Sequence, residues 1–217
     1  MLSSNPHSRD RQHLELRSTA KKRQILDGAR QVFLLNGYAG ASMEEITAQA
    51  GVSKGAIYHY FDSKDVLFRS FIRTEAERIA QVLPSPDPND PNPVSALRQV
   101  GVALLEAFDD PATIATLRLI IGALRRFPHL GEEFLRDSLE PLMERMTVYL
   151  DARSAAGALR SNGSRSWAEQ FATRCLSQVM ERVLVPDRPR QTAAERAARV
   201  EEVLRGLGLT PHSMEGV

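Results

Sequence analysis

The stretch that decides the fold is GVSKGAIYHYFDSK, residues 51–64. Glycines, serines, lysines, tyrosines and a histidine crowd around Ile57 and Phe61, a mixture too polar for an ordinary amphipathic helix. Ser53 is placed to cap a short helix over KGAIYHYF, with Ile57 and Phe61 turned inward. Just upstream, SMEE sets Glu45 three residues after Ser42, the spacing of a capping box. The helix it opens carries Ile46 and Ala50 inward before Gly51 breaks it. Two short helices separated by AGVS, the second packed on a flanking helix, describe a helix-turn-helix.

Such a motif lays its second helix in the major groove of DNA and offers its N-terminal residues to base edges. The chemistry of residues 53–64, from the Ser53 cap onward, suits that task. Lys54 stands in the first turn, able to reach a guanine edge or a phosphate. Gly55 lets the backbone come close, and Ala56 is small enough to meet a thymine methyl. Tyr58 and His59 carry polar tips to where phosphate oxygens lie, while Tyr60 reads as packing. Lys64 and the amides opening the next helix form a phosphate site. The plain alternative for both lysines is a solvated surface, and His59 has no partners for a metal site.

Outward from the motif, the chain of 217 residues has 42% hydrophobic and 25% charged residues and a net charge of +1. Those are ordinary values for a protein with a real core. Before the motif, Ile25, Leu26, Ala29, Val32 and Phe33 recur at helical spacing, in a helix expected to start near Ser18 and to stop at Gly37. After it, DSKDVLFRSFIRTEAERIAQVL reads as a longer helix burying Val66, Leu67, Phe71 and Ile79. PSPDPNDPNP, residues 84–93, interrupts the helical pattern; it is either an interhelical loop, the favoured reading, or a boundary between functional regions. Leu97, Val100, Leu104 and Phe108 then mark one helix. TIATLRLIIGAL is apolar nearly all round and suggests burial on several sides. Leu135, Leu139, Leu142, Met146 and Leu150 mark a helix kinked near Pro141, and GALRSNGSRS reads as a loop. Capping boxes at Ser166–Glu169 and Thr192–Glu195 open two final helices. The first carries Phe171, Cys175, Leu176, Val179 and Val183, the second Ala197, Val200, Val203 and Leu204. The expected fold is all-α. It comprises a flexible basic arm over 1–17, a helix-turn-helix domain over 18–65, a larger effector-binding and dimerisation domain over 66–210, and a flexible tail over 211–217.

Residues 24–71 resemble the DNA-binding region of the TetR family of bacterial transcriptional regulators. Ile25, Ala29, Phe33, Gly37, Tyr38, Ser42, Ile46, Ala50, Gly51, Val52, Ser53, Gly55, Ile57, Tyr58, Tyr60, Phe61, Lys64, Leu67 and Phe71 carry the likeness in order and spacing. The resemblance implies that Ser42, Lys54, Gly55, Tyr58, His59 and Lys64 touch DNA. Two positions depart from the pattern. Thr47 stands where Ala is usual, at the tight helix crossing, with its hydroxyl expected on a backbone carbonyl. Ala56 stands where Thr is commonest. LRLIIGALRRFPHLGEEFLRD is similar to the AefR-like subgroup.

These readings imply a homodimer on a double-stranded DNA operator, most simply a repressor released by a small, largely apolar effector. The alternatives are an activator, an effector-independent regulator, or an interaction module with a degenerate helix-turn-helix. The expected pocket is lined by Leu104, Phe108, Leu117, Ile121, Leu124, Phe134, Met143, Met146 and Phe171, with Arg118, Arg125 and His129 nearby as polar groups. The bland reading of the lining is plain core. The expected dimer seam involves Val179, Val183, Val200 and Leu204. No catalytic constellation, phosphate-binding glycine loop or cofactor fingerprint is present. A lone Cys175 rules out an intrachain disulfide and a cysteine-based zinc site. With no hydrophobic leader core in the first 23 residues and no run of spanning length, the expected location is the cytoplasm.

Overall fold

Caps and left-handed glycines cut the chain into helices. The computed structural model describes residues 6–87, 90, 92–157 and 163–209, and all regular structure among them is helical. In order the elements are α1 (Pro6–Gly40), α2 (Met43–Ala50), α3 (Lys54–Tyr60), α4 (Lys64–Val82), α5 (Pro93–Asp109), α6 (Pro111–Ala123), α7 (Leu130–Ala155), α8 (Ser164–Leu176), α9 (Val179–Leu184) and α10 (Ala193–Gly206). No described helix is long and apolar enough to cross a membrane.

By its contacts the chain forms two units. The first is Met1–Ile72 together with Arg125–Phe127, and the second is Arg73–Leu124 with Pro128–Val217. The division falls inside α4. The proline-rich stretch is a connection within the second unit, closed by Asn92, which caps α5 by accepting from the Ser95 amide at 3.1 Å.

In the first unit α1 buries Ile25, Ala29 and Phe33 along one stripe. α2 crosses α1 at Gly28, where a Cβ would lie 2.7 Å from that of Ala50. No larger residue permits so close a crossing. Thr47 donates its hydroxyl to the Met43 carbonyl at 2.6 Å, as its place near this crossing suggests. α1 breaks at Gly37, whose φ of 70° lies in the left-handed region. Beyond the break Tyr38 joins Phe33, Phe68, Phe71 and Phe127 in an aromatic cluster with ring centroids 4.9–6.4 Å apart. Such pairs add about 0.5–1.5 kcal/mol each beyond their buried area.

The second unit is centred on α5, which buries Leu97, Val100, Leu104 and Phe108. Gly101 faces α10 and α8 so closely that a Cβ would sit 2.8 Å from Val200 and 2.9 Å from Phe171. α7 runs 26 residues through Pro141, and in the turn before it Ser138 returns its hydroxyl to the Phe134 carbonyl at 2.8 Å.

Several expectations are corrected. α1 begins at Pro6 rather than near Ser18, so residues 6–17 are helical rather than an arm; residues 1–5 and the tail from 210 lie outside the described residues. Val66 and Leu135 are exposed, because Leu67 with Phe68 and Leu142 with Phe134 already fill the buried faces of their helices. α6 is not buried all round: Ile121 is exposed, as is Leu124 at its C-cap. The box at Ser166 does not form. α8 starts earlier, at Ser164 after Gly163, and Glu169 is taken by Arg165 at 2.7 Å. Of the expected loop GALRSNGSRS, residues 158–162 lie outside the described residues and the helix resumes at Ser164. The helix expected to run from there through Val183 is two, α8 and α9, parted at Ser177–Gln178.

Candidate nucleic-acid interface

Both capping signals leading into α3 are satisfied. The Ser42 hydroxyl accepts from the Glu45 amide at 3.1 Å while the Glu45 carboxylate accepts from the Ser42 amide at 2.9 Å. Gly51, at φ 61°, ends α2, and the Gln24 amide donates to the Ala50 carbonyl at 2.7 Å. Ser53 then opens α3, its hydroxyl accepting from the Ala56 amide at 3.2 Å. α3 is anchored from one side only: Ile57 is 0% exposed and Phe61, its C-cap, 1%. That leaves Lys54, Gly55, Tyr58 and His59 exposed together, with Ala56 and Tyr60 half-buried beside them.

Gly55 is informative because nothing inside the chain asks for it. A Cβ there would meet no atom within 4 Å, and the backbone is not left-handed. Glycine inside a helix is destabilising by roughly 0.5–1 kcal/mol relative to alanine, and neither packing nor backbone conformation within the subunit requires one here. Lys54 pairs with Glu44 at 3.3 Å, and both side chains are largely in water. The Glu44 carboxyl lies below its usual range, through a backbone hydrogen bond and then Lys54. An exposed pair of this kind is weak, so the ammonium can exchange partners.

Lys64 differs from expectation. Its ammonium donates to the Tyr38 carbonyl at 2.9 Å and the Ala41 carbonyl at 2.8 Å, and lies 4.5 Å from the centre of the Tyr38 ring. An ammonium has three donors, so one remains for an outside acceptor. The amides opening α4 are also partly claimed, since Ser63 accepts from Val66 at 3.3 Å. Lys64 thus closes the end of α1 onto α4. Next to it, Asp65 accepts from the Tyr38 hydroxyl and, at 2.7 Å, from Arg126. Those two hydrogen bonds, Tyr38 first, hold the Asp65 carboxyl below the usual aspartate range. Burial, then Asp65, pushes the Tyr38 phenol up.

Against known families, residues 25–71 match the model of bacterial regulatory proteins of the tetR family, and residues 95–206 match the C-terminal domain of AefR-like transcriptional repressors. The HTH-type transcriptional repressor Rv1474c of Mycobacterium tuberculosis is 30% identical over 177 residues, covering 81% of this chain and 88% of that protein. The chain belongs to the TetR family of transcriptional regulators. Another relative in sequence, the HTH-type transcriptional repressor BepR of Brucella suis, is 32% identical over 153 residues, 68% of this chain and 72% of its own. Among solved structures, a TetR-family regulator from Mesorhizobium loti shares the fold with a TM-score of 0.79 at 24% identity, covering 88% and 96% of the two chains. The flavonoid-responsive regulator FrrA matches with a TM-score of 0.74 at 28% identity, covering 89% and 99%. Family and relatives are regulators, not enzymes.

The expected effector and seam residues fall in two kinds of place. Leu104, Phe108, Phe134, Met143, Met146 and Phe171 are buried in the second unit, Leu117 is half-buried, and Ile121 and Leu124 are exposed. Two grooves in the structure have none of these nine in their walls. One of about 540 Å³ runs between α1 and α2 beside Gly28, and one of about 880 Å³ lies along α10 beside Arg182 and Arg190. Arg118 is spoken for, donating to the Val183 and Arg182 carbonyls at 2.9 and 2.7 Å. Val200 and Leu204 are 0% exposed and Val183 is buried as well, all inside one subunit. These three cannot form a surface between copies. Of the four seam candidates only Val179 is half-exposed. The exposed apolar side chains on and just after α9 are Met180, Leu184 and Val185. Periodicity marked the apolar face of each helix but not which apolar face the subunit keeps for itself.

Proposed function

We propose that this TetR-family protein is a homodimeric repressor that reads a palindromic operator with α3 and releases it on binding a small, largely apolar effector. The DNA contacts are assigned to Ser42, Ser53, Lys54, Gly55, Ala56, Tyr58, His59 and Lys64. The observation that carries the reading is Gly55, a glycine that the packing of the subunit does not require, in the first turn of α3 beside the exposed Lys54, Tyr58 and His59. Paired recognition helices would sit roughly 34 Å apart on one face of the duplex. The seam is assigned to the exposed side of α9, where Met180, Leu184 and Val185 lie. The effector site is assigned to the second unit among the buried residues around Phe108, Phe134, Met146 and Phe171, and the flavonoid response of FrrA supports a ligand of that kind.

Selection from a random duplex pool with the purified protein tests the reading. A palindromic sequence should emerge, bound with an affinity that falls steeply with salt. Gly55→Ala should leave the thermal midpoint unchanged or raise it, while weakening operator binding at least tenfold. Equal, weak affinity for every duplex would end the proposal.

A further inference from the structure

Resting on the DNA-reading function just described, we propose that Arg126 and Phe127, far from the helix-turn-helix in sequence, are positioning residues that complete the reading unit and set its operator affinity. Three residues between α6 and α7, Arg125–Phe127, belong by their contacts to the first unit, whereas Leu124 and Pro128 on either side belong to the second. Phe127 is buried, edge-on to Tyr38 at 5.0 Å and against Phe68 at 5.4 Å, with the Arg69 guanidinium 5.7 Å from its ring centre. Arg126 donates to one Asp65 oxygen at 2.7 Å while Tyr38 donates to the other. Lys64 ties the same junction to the Tyr38 and Ala41 carbonyls.

This clasp sits where α1 ends and α4 begins, the two elements that bracket α2 and α3. α3 has seven residues and one buried side chain of its own, so its direction depends on the elements to which its ends are tied. A surface ion pair contributes little to folding stability, and the Arg126 side chain is 63% exposed and that of Asp65 36%. The part it plays is therefore geometric. Arg126 orients Asp65, which orients Tyr38, while Phe127 fills the space beneath.

The test uses the full-length protein with the duplex that the wild type itself selects. Asp65→Asn keeps an oxygen for the Tyr38 hydroxyl but removes the charge that holds Arg126. If these charges acted only through their field on DNA, losing a carboxylate would strengthen binding. The clasp requires the opposite sign. Asp65→Asn and Arg126→Gln should each weaken operator binding five- to tenfold, within the usual range of couplings. The double variant should be no worse than either, Arg126→Lys should recover part of the loss, and the thermal midpoint should hardly move. Hydrogen exchange of the α3 amides in the free protein should quicken in both single variants, an arm that needs no DNA. Asp65→Asn binding as tightly as wild type or tighter, or unchanged exchange in both variants, would overturn the clasp. A wild type without sequence preference, alongside quickened α3 exchange, would instead overturn the DNA-reading function and leave the positioning of α3 standing.

Discussion

In the first unit helix ends are closed largely by neighbours in the chain: Ser42 by Glu45, Ser53 by Ala56, Ser63 by Val66, with Gly37 and Gly51 turning the backbone. In the second unit the starts of α5, α6 and α10 are capped locally too, but several C-terminal carbonyls are held by arginines that come from far away. Arg118 caps α9, Arg145 reaches the Leu83 carbonyl just past α4 at 3.1 Å, and Arg199 the Arg174 carbonyl at 2.8 Å. The difference teaches what each unit can tolerate. A local cap forms wherever its few residues meet, so the starts of α2 and α3 are set by residues close in the chain. An arginine cap exists only when two distant helices are already packed, so the second unit, whose helix starts at Asn92, Asp110 and Thr192 are capped locally, holds several of its C-terminal carbonyls through tertiary structure.

The sharpest way to break this comparison is a charge in the second unit's core. Val200→Asp should cost ~4 kcal/mol or more, the scale of a buried unpaired charge, and abolish the cooperative thermal transition. Leu184→Asp, at a position 68% exposed, should leave the fold intact and change only the sedimentation behaviour of a dimer. Equal damage from both would mean that α9 is not a surface. Next in size, Arg118→Ala leaves two α9 carbonyls without their donor, an expected loss of ~1–3 kcal/mol. Ser42→Ala removes a local cap and should cost ~1 kcal/mol. Chemical denaturation of both variants ranks the two modes of closure, and the comparison fails if the order is reversed.

A last effect is one of pH and is confined to the alkaline range. Burial pushes the Cys175 thiol from 9.0 up to about 12. The stability carried by its neutral form is fully present below pH 9 and is lost as pH rises toward 12, since the unfolded chain ionises first. Stability measured by denaturant titration should decline in that window, and Cys175→Ser should flatten the decline. At pH 8 the folded protein should resist thiol reagents that label the unfolded chain at once.

The same contrast explains what the sequence could say. Capping boxes at Ser42 and Thr192, the Ser53 cap, the stops at Gly37 and Gly51 and the inward pair Ile57 and Phe61 all depend on residues within one turn, and all were legible. The box at Ser166 was a false signal because Gly163 starts the helix earlier and Arg165 captures Glu169. Val66 and Leu135 carried apolar side chains on faces that the fold leaves open. The seam residues failed for a related reason: Val200 lies against Gly101, a partner 99 positions away that no helical period reveals. Nor could spacing show that Arg126 and Phe127 serve the first unit, or that Lys64 already has two carbonyls to hold.

α3 attaches to its scaffold through Ile57 and the following Phe61, while Lys54, Gly55, Tyr58 and His59 face outward. Exchanging these outward side chains therefore carries almost no folding penalty. On the reading proposed above, a lineage can rewrite which sequence it answers to, one substitution at a time, without ever passing through an unfolded intermediate form. Stability and vocabulary are stored on opposite sides of the same seven residues.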